Sequence, residues 1–186
     1  SGLTAPAAVP YRRRVVTAPA APSAPLRRLA RRRAVRLARR ASEEAGVSAL
    51  VVGGAVRDAL LRLPPGDVDL AVPREGAARF AETLARLAGT RVVAIGAPPR
   101  RILHVPLRGG SADVWERDGD VATDLLRRDF TVNALGLSLP AGRLEPAPGA
   151  LEDLRARRLR LPRPGVLLED RLRVVRAARF LARLPG

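Results

Sequence analysis

The stretch VVGGAVRDALLRLPPGDVDL, Val51–Leu70, constrains the fold of this chain more tightly than any other. The apolar run Ala49-Leu50-Val51-Val52 predicts a buried strand, which the pair Gly53-Gly54 breaks. A short helix follows over Ala55–Leu61, with Val56, Leu60 and Leu63 able to share one side. Pro64-Pro65-Gly66 stops that helix and delivers a second strand, Asp67–Val72.

Successive strand side chains alternate faces, so Asp67 and Asp69 point the same way while Val68, Leu70 and Val72 alternate with them. Two carboxylates that close repel unless a cation sits between them, and oxygen ligands of this kind suit Mg²⁺. The glycines leave backbone N–H groups bare at a helix start, a setting that favours phosphate, and Arg57 lies one turn further in. Each half alone has a plainer explanation: Gly-Gly is often a tight turn, and an Asp pair after Pro-Gly is often solvated loop. Together they suggest chemistry on a nucleoside triphosphate. GGAVRD followed by DVD also resembles the signature of class II nucleotidyltransferases. That family comprises the CCA-adding tRNA nucleotidyltransferases of bacteria and eukaryotes and the bacterial poly(A) polymerases.

Composition bounds the rest. A length of 186 residues holds one domain, or one domain and part of another. Hydrophobic residues make up 47% of the chain but aromatics only 3%, so the core must come from Leu, Val and Ala. All 34 Lys-or-Arg positions are arginine, against 18 acids. Part of that excess reads as GC-rich codon usage, yet a net charge of +16 favours a polyanionic partner, nucleic acid above all. The absence of cysteine leaves neither a disulfide framework nor a thiolate metal site. No apolar run reaches the length of a membrane span.

Residues 1–25, rich in Ala and Pro around Tyr11-Arg12-Arg13-Arg14, read as a disordered or extended arm. Leu26–Ala45 has apolar residues at helical spacing and Arg27, Arg28, Arg31, Arg32, Arg36, Arg39 and Arg40 mostly opposite them. This predicts one amphipathic helix ended by Gly46, its arginines forming a solvated face, an RNA contact, or both. Glu75–Ala88 reads as a helix ended by Gly89. Arg91–Ile95, Arg101–Leu107 and Ser111–Glu116 read as strands, separated by Gly96-Ala97-Pro98-Pro99 and by Gly109-Gly110. The class is therefore α/β or α+β with a mixed sheet. In the third of these strands alternation can turn Asp113 toward the inner carboxylates, with Glu116 as runner-up. In the resembled family an acid on a neighbouring strand occupies such a place. His104, the only histidine, reads as a packed or surface residue rather than a base, because metal-assisted phosphoryl transfer needs none.

A second motif runs from Asp124 to Leu135. Adjacent arginines beside an acid and an Asn make a donor-rich patch suited to triphosphate oxygens and ribose hydroxyls, although an RRD run is also common on solvated helices. RRDFTVNAL closely resembles the second motif of the family. The resemblance implies that Arg127, Arg128 and Asp129 contact the phosphates and ribose of the nucleotide. Further on, Glu145, Gly149, Glu152-Asp153-Leu154 and Arg160 approximate a family segment, with Asp153 read as a cap or brace and no role given to Glu145.

The last helix is expected over Leu168–Phe180, with Asp170 and Arg173 one turn apart so that both reach one ligand. Cytosine and adenine each show an amino donor next to a ring-nitrogen acceptor, which an Asp acceptor and an Arg donor can match. Uracil and guanine would leave buried groups unpaired, at a cost of about a few kcal/mol. An exposed i, i+3 salt bridge is the plainer account. EDRLRVVRAARFLARL resembles the EDxxR motif of the family and its following helix, which makes Arg176 and Arg179 nucleotide contacts as well.

The resemblance covers about residues 47–184. It implies a polymerase-β-like nucleotidyltransferase head, a small mixed sheet with flanking helices, over 26–161, and the start of a helical neck over 162–186. The implied activity is cytoplasmic, Mg²⁺-dependent addition of CMP and AMP from CTP and ATP to a tRNA 3′ end, with pyrophosphate released. Asp67, Asp69 and Asp113 would hold the metals, while Gly53, Gly54 and Arg57 would hold the triphosphate. A poly(A) polymerase, or an A-adding or CC-adding enzyme, shares these motifs. A non-catalytic RNA-binding module is the rival outside catalysis.

Overall fold

The fold grows outward from the strand that the glycine pair ends. A computed structural model of the chain describes residues 23–97 and 101–183. In chain order it runs α1 (Ala24–Ala30), α2 (Arg33–Ala45), β1 (Ala49–Val52), α3 (Gly54–Leu60), β2 (Val68–Pro73) and α4 (Arg74–Ala88). Then come β3 (Val93–Ile95), β4 (Ile102–Leu107), β5 (Gly110–Arg117) and α5 (Val121–Leu126). A 3-10 turn, Thr131–Asn133, leads into β6 (Leu135–Leu139), β7 (Leu144–Pro146), α6 (Ala150–Arg155), α7 (Val166–Glu169) and α8 (Leu172–Arg183).

The strands form one sheet in the order β3-β4-β5-β2-β1-β6-β7. Only β2 and β5 pair in parallel, which makes the sheet mixed as expected. All four residues of β1 are buried, as befits a central strand covered on both faces. Val68, Leu70 and Val72 of β2, Ala112 and Val114 of β5, and Leu103 and Val105 of β4 are buried too. Alternation and register put these on one face, where α4 packs with Ala77, Phe80, Ala81 and Leu84. Burying each such Leu, Val or Phe stabilises by about 1.5–3 kcal/mol, so Leu and Val do suffice where aromatics are scarce. Gly136 lets β6 lie close against β1: a Cβ there would meet Leu50 Cδ2 at 2.7 Å.

Four expectations need correction. The predicted single helix Leu26–Ala45 is two, because Arg32 turns extended (φ −62, ψ 143) and its guanidinium donates to the Gly66 carbonyl at 2.7 Å. That break lets Leu26 and Leu29 bury themselves where α1 packs on α3. The predicted helix Leu168–Phe180 also divides: Asp170 is extended (φ −154, ψ 106) and caps a new helix by accepting the Leu172 N–H at 3.0 Å. The sheet is larger than foreseen, since the sequence pattern did not announce β6 and β7. Finally, Ala24 and Pro25, read as part of a disordered arm, open α1. The remainder of that arm, residues 1–22, together with residues 98–100 and 184–186, lies outside the described residues.

Candidate active site

Register assembles the acids. Val52 of β1 pairs with Asp69, Asp69 with Asp113 on the parallel neighbour, and Asp113 with His104 on β4. These positions line one sheet face in a row, and Asp67 lies two residues before Asp69 where β2 begins. Glu116 falls on the opposite parity and pairs with Arg74 at 3.3 Å and Arg101 at 3.1 Å, which removes the runner-up.

Each carboxylate already has a partner. Asp69 Oδ1 accepts the Trp115 indole N–H at 3.3 Å, and Asp67 Oδ1 accepts the Ser111 backbone N–H at 3.1 Å. Asp113 Oδ1 lies 2.6 Å from His104 Nδ1. His104 is thus neither free surface nor buried packing but the neighbour of a site acid. Burial is the main reason the Asp69 carboxyl sits above its ordinary range. The Trp115 N–H and the Arg128 charge oppose that rise, while the charges of Asp113 and Asp67 add to it. Among the described residues no three His, Cys, Asp or Glu side chains form a ready metal cage. The donor set nevertheless suits Mg²⁺, which is commonly bound by one or two carboxylates together with substrate phosphates. A cation there would relieve the repulsion that Asp69 bears.

The glycine turn abuts this row. Gly53 has φ 67 and ψ −129, a backbone that disfavours side-chain-bearing residues, and its N–H donates to the Leu135 carbonyl at 3.2 Å. Gly53 is thereby spent on the sheet. The N–H groups of Gly54, Ala55 and Val56, in the first turn of α3, lack intrahelical acceptors by helix geometry. Arg57 contacts Asp58 at 2.7 Å, donates to Asn133 Oδ1 at 2.5 Å, and stacks 4.9 Å from the Phe180 ring centroid.

The second motif begins where α5 ends. Arg127 is exposed, and Arg128 pairs with Asp124 at 2.6 Å while its charge reaches Asp69. Asp129 is buried, and its Oδ1 accepts the Phe130 N–H and the Asn133 amide, both at 2.9 Å. Asn133 therefore bridges Asp129 to Arg57, a role that its place in the motif did not reveal. Trp115 was overlooked too, although period-two alternation from Asp113 puts it on the same face. Asp153, read as a cap or brace, is buried and accepts from Thr131 Oγ1 at 2.6 Å and from Arg160 Nε at 2.8 Å. Glu145 faces Arg143 at 3.6 Å, away from these groups.

Helix α8 closes the site. Phe180 meets Phe130 edge-on at 5.6 Å, and Arg176 Nη1 is 3.7 Å from Asp129 Oδ2. Arg173 donates from Nη1 to the Val166 carbonyl at 2.7 Å and from Nη2 to the Arg127 carbonyl at 2.9 Å. Those two bonds orient the guanidinium and leave further N–H groups for a ligand. Asp170 keeps its second carboxylate oxygen after capping α8. Arg179 is exposed.

Residues 49–160 match the family described as the poly A polymerase head domain. A CC-adding tRNA nucleotidyltransferase of Geobacter sulfurreducens is 38% identical over 145 residues, which cover 75% of this chain and 33% of that protein. A CCA-adding enzyme of Lactobacillus delbrueckii subsp. bulgaricus is 36% identical over 156 residues, covering 76% of this chain and 39% of that protein. Among solved structures, a Thermotoga maritima CCA-adding enzyme complexed with tRNA superimposes with a TM-score of 0.68 at 32% identity, over 78% of this chain and 36% of that one. A tRNA nucleotidyltransferase complexed with a primer tRNA and an incoming ATP analogue gives 0.68 at 33% identity, over 79% of this chain and 45% of that one. The chain spans roughly a third of the length of the curated relatives it matches. Among the described residues no helix is long and apolar enough to cross a membrane.

Proposed function

Because this chain belongs to the poly A polymerase head-domain family, we propose that it carries the nucleotide-transferring site of a template-independent tRNA nucleotidyltransferase. The observation that carries this reading is the pairing of Asp69 with Asp113 on neighbouring strands, with Asp67 two residues before Asp69 and the Arg128 charge reaching Asp69. Names of relatives and structural neighbours, CC-adding and CCA-adding enzymes among them, support tRNA as the acceptor and CTP and ATP as donors.

Asp67 and Asp69 would hold Mg²⁺, with Asp113 completing the set once it leaves His104. The metal would supply charge neutralisation at the phosphates and a lowered pKa for the attacking hydroxyl. The residues of the chain do the remaining work. The first turn of α3, Arg57 and Arg128 face the triphosphate, and Arg127 and Asp129 position phosphates and sugar. Asp129 does so from a fixed place, because Asn133 and the Phe130 N–H hold it. Asp170 and Arg173 read the pairing edge of the base, and Arg176 and Arg179 extend the same wall. The primer 3′-hydroxyl gives up its proton to water, its oxygen bonds to the α-phosphorus as the bond from that phosphorus to the α–β bridging oxygen breaks, and pyrophosphate leaves with that oxygen.

A poly(A), A-adding or CC-adding enzyme uses the same row of acids, and nucleotide choice separates these from CCA addition. A pure RNA-binding module is disfavoured, since an acid held at electrostatic cost beside RNA would gain nothing. The test is transfer of label from α-labelled CTP or ATP to tRNA lacking its terminal CCA, with Mg²⁺. The wild type should label the tRNA, and Asp69→Asn should lose about 10²–10³-fold in rate, the effect of several kcal/mol of lost charge stabilisation. Undiminished labelling by that variant would sink the assignment.

A further inference from the structure

Strand β5 supplies a donor to each acid of β2. The Ser111 backbone N–H donates to Asp67 Oδ1 at 3.1 Å, and the Trp115 indole N–H donates to Asp69 Oδ1 at 3.3 Å. Asp113 stands between those two positions and pairs with Asp69 in register. Among the described residues the second oxygen of Asp67 and of Asp69 accepts no hydrogen bond and meets no ion-pair partner. Each carboxylate is therefore held by one oxygen and open at the other. The donor to Asp67 is backbone, but the donor to Asp69 is a side chain, and a substitution can remove it.

Register explains how the indole reaches that far. Trp115 pairs with Ala71 on β2 and with Ile102 on β4. Period-two alternation puts Ala71 on the same face as Asp69, and its single methyl leaves space for a large ring to extend over β2. Ile102, directly opposite on the other side, is the cross-strand neighbour that the ring packs beside. The chemistry of the donor matters as well. An indole N–H donates and cannot accept, so it does not ligate a cation itself. It is also neutral: an arginine in the same place would hold the carboxylate but offset the charge that draws a cation. Ligating carboxylates are commonly fixed by outer hydrogen bonds of this kind. We propose that Trp115 is the positioning residue of the cation site, its N–H locking Asp69 Oδ1 so that Oδ2 is presented to a divalent cation. What that cation serves rests on the nucleotidyltransferase reading, whereas its binding can be measured without RNA or nucleotide.

Trp115 is the only tryptophan of the chain, so tryptophan fluorescence reports this site alone. The test titrates the full 186-residue chain with Mn²⁺, following the quenching of Trp115 and counting free Mn²⁺ by electron paramagnetic resonance. The wild type should show saturable quenching that Mg²⁺ reverses, and Asp69→Asn, with Trp115 intact, should not. Two changes remove the N–H: Trp115→Phe, and benzothienylalanine at the same position, which keeps the ring shape and puts sulfur where the N–H was. Each should weaken Mn²⁺ binding about tenfold, the common cost of losing an outer hydrogen bond to a ligand. In the label-transfer assay the Mg²⁺ concentration for half-maximal rate should rise by a similar factor. The rate at saturating Mg²⁺ and the KM for CTP should change about twofold or less. Metal-free thermal melts of the benzothienylalanine protein should match the wild type.

Wild-type Mn²⁺ affinity in the benzothienylalanine protein would overturn the proposal and leave Trp115 a packing residue. So would the absence of any Mn²⁺ binding by the wild type, even where that protein transfers label. A slower rate at saturating Mg²⁺ with metal affinity unchanged would overturn it too. Mn²⁺ binding that depends on the indole N–H, with no label transfer by the wild type, would refute the transferase reading while the Trp115–Asp69 cation site stood.

Discussion

Asp69 bears the electrostatic cost of this site. Burial raises its carboxyl, Asp113 and Asp67 raise it further, and Trp115 and Arg128 offset only part. Between the unfolded carboxylate pKa, about 3.9, and the raised folded value, the native state holds a proton that the unfolded chain has released. Stability therefore falls as pH rises through that window, and the loss is complete above it. Asp69→Asn should raise Tm at neutral pH, and that gain should vanish on acidification below the unfolded value. Mg²⁺ should raise the Tm of the wild type and not of the variant, because a ligand stabilises only the state that binds it. Thermal melts across pH check both. A lower Tm for Asp69→Asn at neutral pH would mean that the bonds to Trp115 and Arg128 outweigh the burial. Asp67 and Asp69 were legible because two-residue alternation needs no tertiary information. Asn133 was not assigned its bridge because the geometry depends on Arg57, which lies 76 positions away in the chain.

At the scale of elements, α8 is joined to the site by few interactions, each of them informative. Phe180 packs against Phe130 and under Arg57, so one ring connects the helix to the second motif and to the glycine turn. Phe180→Ala should cost about 1–2 kcal/mol, because it removes an aromatic pair and a cation–π interaction. It should also weaken nucleotide binding by freeing Arg57. Urea denaturation should show a lower midpoint at constant slope, and Phe180→Leu should fall between. A midpoint unchanged in Phe180→Ala would show that α8 does not depend on this ring. Elements bounded by glycine or proline were legible: β1, α3, β2 and α4 all begin and end near their predicted places. The break at Arg31-Arg32 was not, because apolar spacing continues through it, while the bond from Arg32 to the Gly66 carbonyl and the packing of α1 on α3 are tertiary. Strand β6 escaped notice because Leu135-Gly136-Leu137-Ser138-Leu139 follows straight on from the second motif, and Gly136 serves the approach to Leu50 rather than a turn.

For the molecule as a whole, the sheet brings Asp69, Asp113 and the glycine turn together, and the net charge of +16 over the chain is what a polyanion seeks. The resemblance foresaw this head-like architecture, while the sheet order and the split helices depend on three-dimensional packing. The proposed nucleotide site depends on Mg²⁺ and has Asp170 and Arg173 as its base wall. Its most direct test is calorimetric titration of this chain with CTP, ATP, UTP and GTP, each with and without Mg²⁺. CTP and ATP should bind one per chain and need Mg²⁺, with UTP and GTP weaker by about tenfold or more, as expected when buried donors and acceptors are left unpaired. Binding of ATP alone would shift the assignment to poly(A) or A addition. No binding of any nucleotide, or binding indifferent to Mg²⁺ and to Asp69→Asn, would contradict it.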